Sequence, residues 1–353
     1  MKRLLPPVLA FALQRAMLAA LAWAQGLPPL APSSYSRWDS VYYLDIAAHG
    51  YIPNYPCPPE SHYPATAWCG NAGWFPGYPL ALRLFALPPD AAAMLLSAAA
   101  HLGLLVLLWR LLDDEKQWPA LGLAAFFPGN VYLAAIFPSS LFVLAALLCL
   151  AACWSRRYLP AAIAGAFAAT CHPTGVVLAP VVLLWAIWRR RPGAVWVAVG
   201  VAIGFAGVLW IFQREAGAWD AYFKVQARYG YRVGFVLDTL LGHLKPLVNA
   251  RYRDAKGFVS ALQTLTCLLL MVALALRARR FLGDDRESLL AIYAAAFWAA
   301  PLGNLSTYRS EVLLLPAALL VPALPRRMQL ALLLVAVAIS VPIGVLFFDG
   351  VLV

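Results

Sequence analysis

The stretch Val181-Val182-Leu183-Leu184-Trp185-Ala186-Ile187-Trp188-Arg189-Arg190-Arg191-Pro192-Gly193-Ala194-Val195-Trp196-Val197-Ala198-Val199 decides the fold. Three consecutive arginines separate two runs that carry no charge and consist almost wholly of apolar residues. A helix that crosses a bilayer needs about 20 apolar residues, and loops on the cytoplasmic side collect Lys and Arg. The stretch therefore reads as two membrane helices joined by a basic cytoplasmic turn. The same pattern fills the chain. Of 353 residues, 63% are hydrophobic and only 12% are charged, and the mean hydropathy is +0.74. A soluble domain carries roughly 25% charged residues, so most of this surface faces something other than water. The net charge of +11 sits in short Arg clusters between apolar runs. That is a topology signal, and it removes nucleic acid from the expected partners.

Working outward, the apolar segments are 8–30, 91–112, 118–135, 138–154, 158–171, 174–188, 194–212, 257–276, 287–303, 309–324 and 328–348. They predict an all-α polytopic membrane protein of about eleven transmembrane helices, with one membrane domain over 1–353 and no large soluble one. Residues 76–88 can add a half-buried or re-entrant piece. The start of the chain has the form of a signal peptide ending near Ala22-Trp23-Ala24, but Arg15 interrupts its apolar run. Alternating the segments from a cytoplasmic Lys2 and Arg3 puts every tight basic cluster on one side: Arg110 with Lys116, Arg156 with Arg157, Arg189 to Arg191, Arg277 with Arg279 and Arg280, and Arg326 with Arg327. The opposite, extracytoplasmic face then receives two long loops, 31–90 and 213–256, and the C-terminus.

Of six cysteines, Cys149, Cys153, Cys171 and Cys267 lie in or beside apolar segments and read as packing residues. Cys57 and Cys69 share the first outer loop, where an oxidising compartment permits a disulfide. The outer carboxylates Asp39, Asp45 and Glu60 show no metal-ligand spacing, so no cofactor is assigned, and a divalent metal is left open.

The first outer loop is the richest in chemistry. Residues 38–49 predict a helix lying along the membrane surface, capped by Ser36 and stopped by Gly50. Val41, Leu44 and Ala48 share one face, and Tyr42, Asp45 and His49 another. Asp39, close to the end of the first membrane helix, can either cap this helix or take a proton from a hydroxyl arriving from water. Farther on, Lys224, Arg228 and Arg232 are spaced by four and predict one basic stripe. Arg309 at an outer helix end can hold an anion, pair with Glu311 or reach lipid headgroups. His172 precedes Pro173 at an outer turn.

Three blocks of this loop, Arg37-Trp38-Asp39-Ser40, then Ile46-Ala47-Ala48-His49-Gly50-Tyr51, then Gly73-Trp74-Phe75-Pro76-Gly77-Tyr78-Pro79, closely resemble the PIG-V family of GT-C-fold mannosyltransferases. The family pattern is Arg-Trp-Asp, Ile-Ala-x-x-Gly-Tyr and Phe-Phe-Pro-x-x-Pro in that order. Weaker echoes are Phe127 to Ala135, Tyr222 to Gly230 with a central Gln226, and Ser306-Thr307-Tyr308-Arg309 with Pro316. Two departures stand out. Phe137-Pro138-Ser139-Ser140 lacks the glutamate of the family's Tyr-Ser/Thr-Glu-Ser, and His172 stands where members often carry Arg.

The resemblance implies a GT-C fold, and it implies transfer of a sugar, mannose in the family, from a polyprenyl- or dolichyl-phosphate donor to an extracytoplasmic glycan, lipid or protein. Asp39 takes the place of the catalytic aspartate, a general base in an inverting reaction. Arg309 leads the candidates for the lipid phosphate, with Arg37, Trp38, His49, His172, Lys224, Gln226, Arg228 and Tyr308 as further substrate-binding residues. The composition points to a bacterial inner membrane with a periplasmic site; an endoplasmic-reticulum protein would face the lumen. Two other classes compete. A transporter or flippase of lipid-linked sugars needs polar groups at the midplane, for which Arg15 and His101 are the candidates. A non-catalytic subunit would keep the fold without the chemistry.

Overall fold

The structure, a computed structural model, describes residues 4–64, 66–113, 115–229, 236–252, 254–300 and 307–352. It is 76% helical. Strand structure among the described residues is confined to one two-residue ladder, so the fold is all-α. Helix α1 (Leu5–Ala24) leads into the first long loop. This loop contains α2 (Pro32–Tyr35), α3 (Ser40–His49), the antiparallel strands β1 (Tyr55–Pro56) and β2 (Trp68–Cys69), and α4 (Gly77–Leu82). A run of apolar helices follows: α5 (Pro89–Leu111), α6 (Trp118–Ala125), α7 (Ser139–Trp154), α8 (Tyr158–Cys171), α9 (Leu178–Trp188) and α10 (Val195–Ile211). The second long loop holds α11 (Ala221–Ala227) and α12 (Val236–Val248). Then come α13 (Ala255–Ala275), α14 (Ala278–Phe281), α15 (Asp285–Ala299), α16 (Thr307–Ser310), a 3₁₀ helix over Glu311–Ala323 and α17 (Arg326–Phe348).

Among the described residues, five helical stretches are long and apolar enough to cross a bilayer: Leu5–Ala24, Pro89–Leu111, Pro192–Ala216, Ala255–Ala275 and Arg326–Phe348. Proline and glycine shorten the others. The apolar segment 118–135 does not form one helix. It ends at Ala125, before Pro128 and before Gly129 (φ +81°), a left-handed turn that suits glycine, and resumes as a 3₁₀ turn over Asn130–Leu133. In the segment 309–324 two prolines, Pro316 and Pro322, withhold N–H groups that an α-helix would use. The chain there winds as a tighter 3₁₀ rod of 13 residues, far beyond the usual few. Nearly every residue of the rod is buried, among α5, α6, α7 and α15.

Helices α8 and α10 meet through small side chains. A Cβ on Gly200 would lie 2.7 Å from the Cβ of Ala162, one on Gly204 would collide with the Ala166 carbonyl, and Gly165 meets Val201. Close backbone approach of this kind replaces the hydrophobic drive that lipid does not supply.

The basic clusters gather at one end of the bundle. Asp285 accepts from Arg189 Nε and from Arg191 Nη2, both at 2.6 Å. Arg286 pairs with Asp113 at 3.2 Å, and Arg326 donates to the Lys116 carbonyl at 2.6 Å. The first long loop covers the other end, beside the last turn of α17.

Candidate functional site

Helix α3 begins one residue after Asp39, and its first turn differs from the expected one. Ser36 does not cap it; the Ser40 hydroxyl accepts from the Arg37 N–H at 3.0 Å and braces the turn from inside. Asp39 occupies the N-cap position without making a capping bond. Trp38 before it has φ +38°, a left-handed conformation that costs a non-glycine residue about 1–2 kcal/mol. That backbone turns the Asp39 carboxylate away from its own helix. Arg309 Nη1 donates to Asp39 Oδ2 at 2.6 Å, with the two side chains 20% and 26% exposed. Arg309 thus pairs with Asp39 and not with Glu311, which lies buried and accepts from Gln263 Nε2 at 2.6 Å.

Aromatic rings wall the pair. The Arg309 guanidinium lies 5.9 Å from the centre of the Phe137 ring. The buried Tyr43 and Tyr132 feel the charges of both Asp39 and Arg309. His172 is partly buried at the turn after α8, 5.4 Å from the Phe142 ring. Its Nδ1 accepts from the Thr174 N–H at 3.3 Å, which leaves the proton of the neutral ring on Nε2. Burial, together with the Arg309 cation beside it, pushes the imidazole down to about 4, so it is neutral near pH 7. Tyr308 is buried, with its carbonyl held by Gln263 Nε2 at 2.7 Å. Trp38 is 65% exposed at the rim.

The other expected binders are used to hold the loop in place. Arg37 donates to the carbonyls of Ser33 and Ser36 and, across the chain, to Phe347 and Phe348 at the end of α17. This cation is a staple between the loop and the last helix. His49 Nδ1 meets Asp45 at 2.9 Å, and Asp45 accepts from Asn71 at 3.0 Å. Gly50 (φ +88°) ends α3, whose last carbonyls take Arg83 at 2.6 and 2.9 Å. The buried residues of α3 are Ser40, Tyr43, Ile46 and Ala47, and Val41, on the face shared with Leu44 and Ala48, is exposed.

Lys224 and Arg228, the described part of the expected basic stripe, do not share one exposed face. Helix α11 stops at Ala227. Lys224 pairs with Asp220 at 3.0 Å. Arg228 turns inward between the rings of Tyr63, Trp74 and Tyr229 and donates to Cys69 Sγ at 3.4 Å. Arg232 lies outside the described residues. Gln226 donates to the Gly73 carbonyl at 2.8 Å, tying α11 to the Gly73–Pro79 block. Cys57 and Cys69 form a disulfide beside this contact. The remaining four cysteines are free and buried.

Tyr43, Tyr132 and Phe137 were not among the expected site residues. Tyr132 lies in the Phe127–Ala135 block, whose sequence was the available signal. Ser139 and Ser140, standing where the family glutamate would be, are buried at the start of α7. Among the described residues no three His, Cys, Asp or Glu side chains gather as metal ligands.

Fold and site together define an all-helical protein with membrane-length helices and an acid–base pair under aromatic cover at one end of the bundle. No protein-family model matches the sequence, and no curated protein matches it.

Proposed function

We propose that the chain is a membrane glycosyltransferase of the GT-C type with about eleven membrane crossings. It transfers a sugar, mannose by the resemblance to the PIG-V family, from a polyprenyl- or dolichyl-phosphate donor to an acceptor outside the cytoplasm. The observation that carries this reading is the 2.6 Å contact between Arg309 and Asp39, which joins a cation suited to a phosphate and a carboxylate suited to a proton. Without substrate, Arg309 holds Asp39. When the donor phosphate takes the guanidinium, the Asp39 carboxylate is released toward the acceptor hydroxyl. The acceptor oxygen attacks the anomeric carbon. The bond from that carbon to the phosphate oxygen breaks, its electron pair leaves on the lipid phosphate, and Asp39 receives the hydroxyl proton. Attack from the face opposite the leaving group inverts the anomeric centre. His172, neutral beside Arg309, can donate a hydrogen bond from Nε2 without adding charge.

The test is sugar transfer by purified protein in nanodiscs, from radiolabelled polyprenyl-phosphate mannose to a mixed lipid and glycan extract. Asp39→Asn keeps the side chain's size and removes the base, so its rate falls by about 10²–10⁴. Equal rates in both proteins would remove Asp39 from this role.

A further inference from the structure

At the end of the bundle remote from Asp39 lies a cavity of about 510 Å³, within the size range of small-molecule sites. Its rim is charged, with Arg280 from α14, Asp284, Arg286 and Glu287 from the start of α15, and Asp113 after α5. Leu319 and Pro322 of the 3₁₀ rod give it an apolar floor. Most of the rim charges are already engaged. Asp113 and Arg286 pair with each other. Asp284 accepts from the backbone N–H groups of Arg286 and Glu287, both at 2.9 Å. Arg280 and Glu287 have no side-chain partner among the described residues. They are close enough for their charges to act on one another, yet they form no ion pair. Among the described residues the cavity therefore keeps a cation and an anion without a side-chain partner over an apolar floor.

We propose that this cavity binds a phosphoethanolamine group presented by a membrane lipid. The phosphate meets Arg280 and the ammonium meets Glu287. A primary ammonium gives Glu287 N–H donors, which a quaternary choline lacks. An uncharged or purely anionic headgroup leaves Glu287 without its cation. The site follows from the membrane-length helices and this cavity alone, and it stands or falls independently of the transferase reading.

The experiment is lipid retention by the full-length protein, exchanged from nanodiscs into detergent and read by native mass spectrometry. Phosphatidylethanolamine, phosphatidylcholine and phosphatidylglycerol are compared at equal mole fraction. Phosphatidylethanolamine is retained about tenfold over the other two, the worth of one charge-assisted contact. That preference is lost in Glu287→Gln, and Arg280→Gln lowers retention of all three lipids, while Arg279→Gln, which does not line the cavity, behaves as wild type. Equal retention of the three lipids with no binding of free O-phosphoethanolamine, or an unchanged preference in Glu287→Gln, overturns the site. Binding of free O-phosphoethanolamine without any lipid preference overturns the lipid source and leaves the zwitterion chemistry standing. Sugar transfer is not measured in this assay, so its failure elsewhere leaves the result intact.

Discussion

Asp39 and Arg309 stand 270 residues apart in the chain and 2.6 Å apart in space. The sequence marked each of them, Asp39 through its motif and Arg309 through its position at a helix end. It did not mark their contact, because a pairing across the whole chain leaves no local spacing to read. The Asp45–His49 contact was readable, since residues four apart share one face of a helix. Arg37 shows another long-range use that the sequence did not mark. Its motif suggested a ligand, while its guanidinium is used by four carbonyls of the loop and of α17. His172 yields a pH prediction. Its folded-state pKa of about 4 lies below the ordinary value of 6.5. Above pH 6.5 both folded and unfolded chains carry the neutral ring, and His172 has no effect on stability. As pH falls from 6.5 towards 4, the unfolded ring takes a proton that the folded ring refuses, so stability declines. Melting in detergent across that window should show the decline in wild type and a smaller one in His172→Gln. Identical curves would remove His172 as its source.

Helices here are held by close approach as much as by apolar burial. Gly200 and Gly204 lie four residues apart on α10 and press on Ala162 and Ala166 of α8. Gly204→Val inserts a side chain where the Ala166 carbonyl already touches. It should destabilise the fold by about 1–3 kcal/mol, read as a lowered melting midpoint; an unchanged midpoint would mean that α8 and α10 have room to separate. Gly77 locks α4 against α8 in the same way, since a Cβ there would lie 2.5 Å from Thr170 Oγ1. In the first loop the Cys57–Cys69 bridge closes a separation of 12 residues. Replacing both cysteines by Ala should loosen the loop by about 2–4 kcal/mol. The loss should appear as faster amide exchange around Tyr55–Cys69, with exchange in α13 unchanged. Protection equal to wild type in the loop would count against the bridge as its support. Element boundaries were legible only in part, since 118–135 read as one segment through Pro128, where the helix ends at Ala125. The four-residue spacing of Lys224 and Arg228 did not show that α11 ends at Ala227 and that Arg228 leaves the helix surface for an aromatic cluster.

For the whole molecule, all-helical character and membrane-length segments were legible from hydropathy. The lengths of individual crossings were not, since a run such as 118–135 carries the same composition whether or not Pro128 and Gly129 break it. Orientation can be tested with cysteine labelling in intact cells, because the four free cysteines are buried. Gly283→Cys lies at the basic end, with open space around its added Cβ, and Val351→Cys at the other. An impermeant maleimide should label position 351 and spare 283; the reverse would place the Asp39 end in the cytoplasm. The 3₁₀ rod carries a consequence for the membrane itself. At about 2.0 Å of rise per residue, its 13 residues extend about 26 Å, close to the roughly 30 Å of a hydrocarbon core. An α-helix of the same residues would reach only about 20 Å. The tighter winding gives a short segment a length close to that of a hydrocarbon core, with Arg309 next to one end and the cavity lined by Leu319 and Pro322 at the other. Each residue that rewound to α would shorten the rod by about 0.5 Å and draw Arg309 toward the cavity, so the two ends of the molecule are tied by the winding of one buried segment.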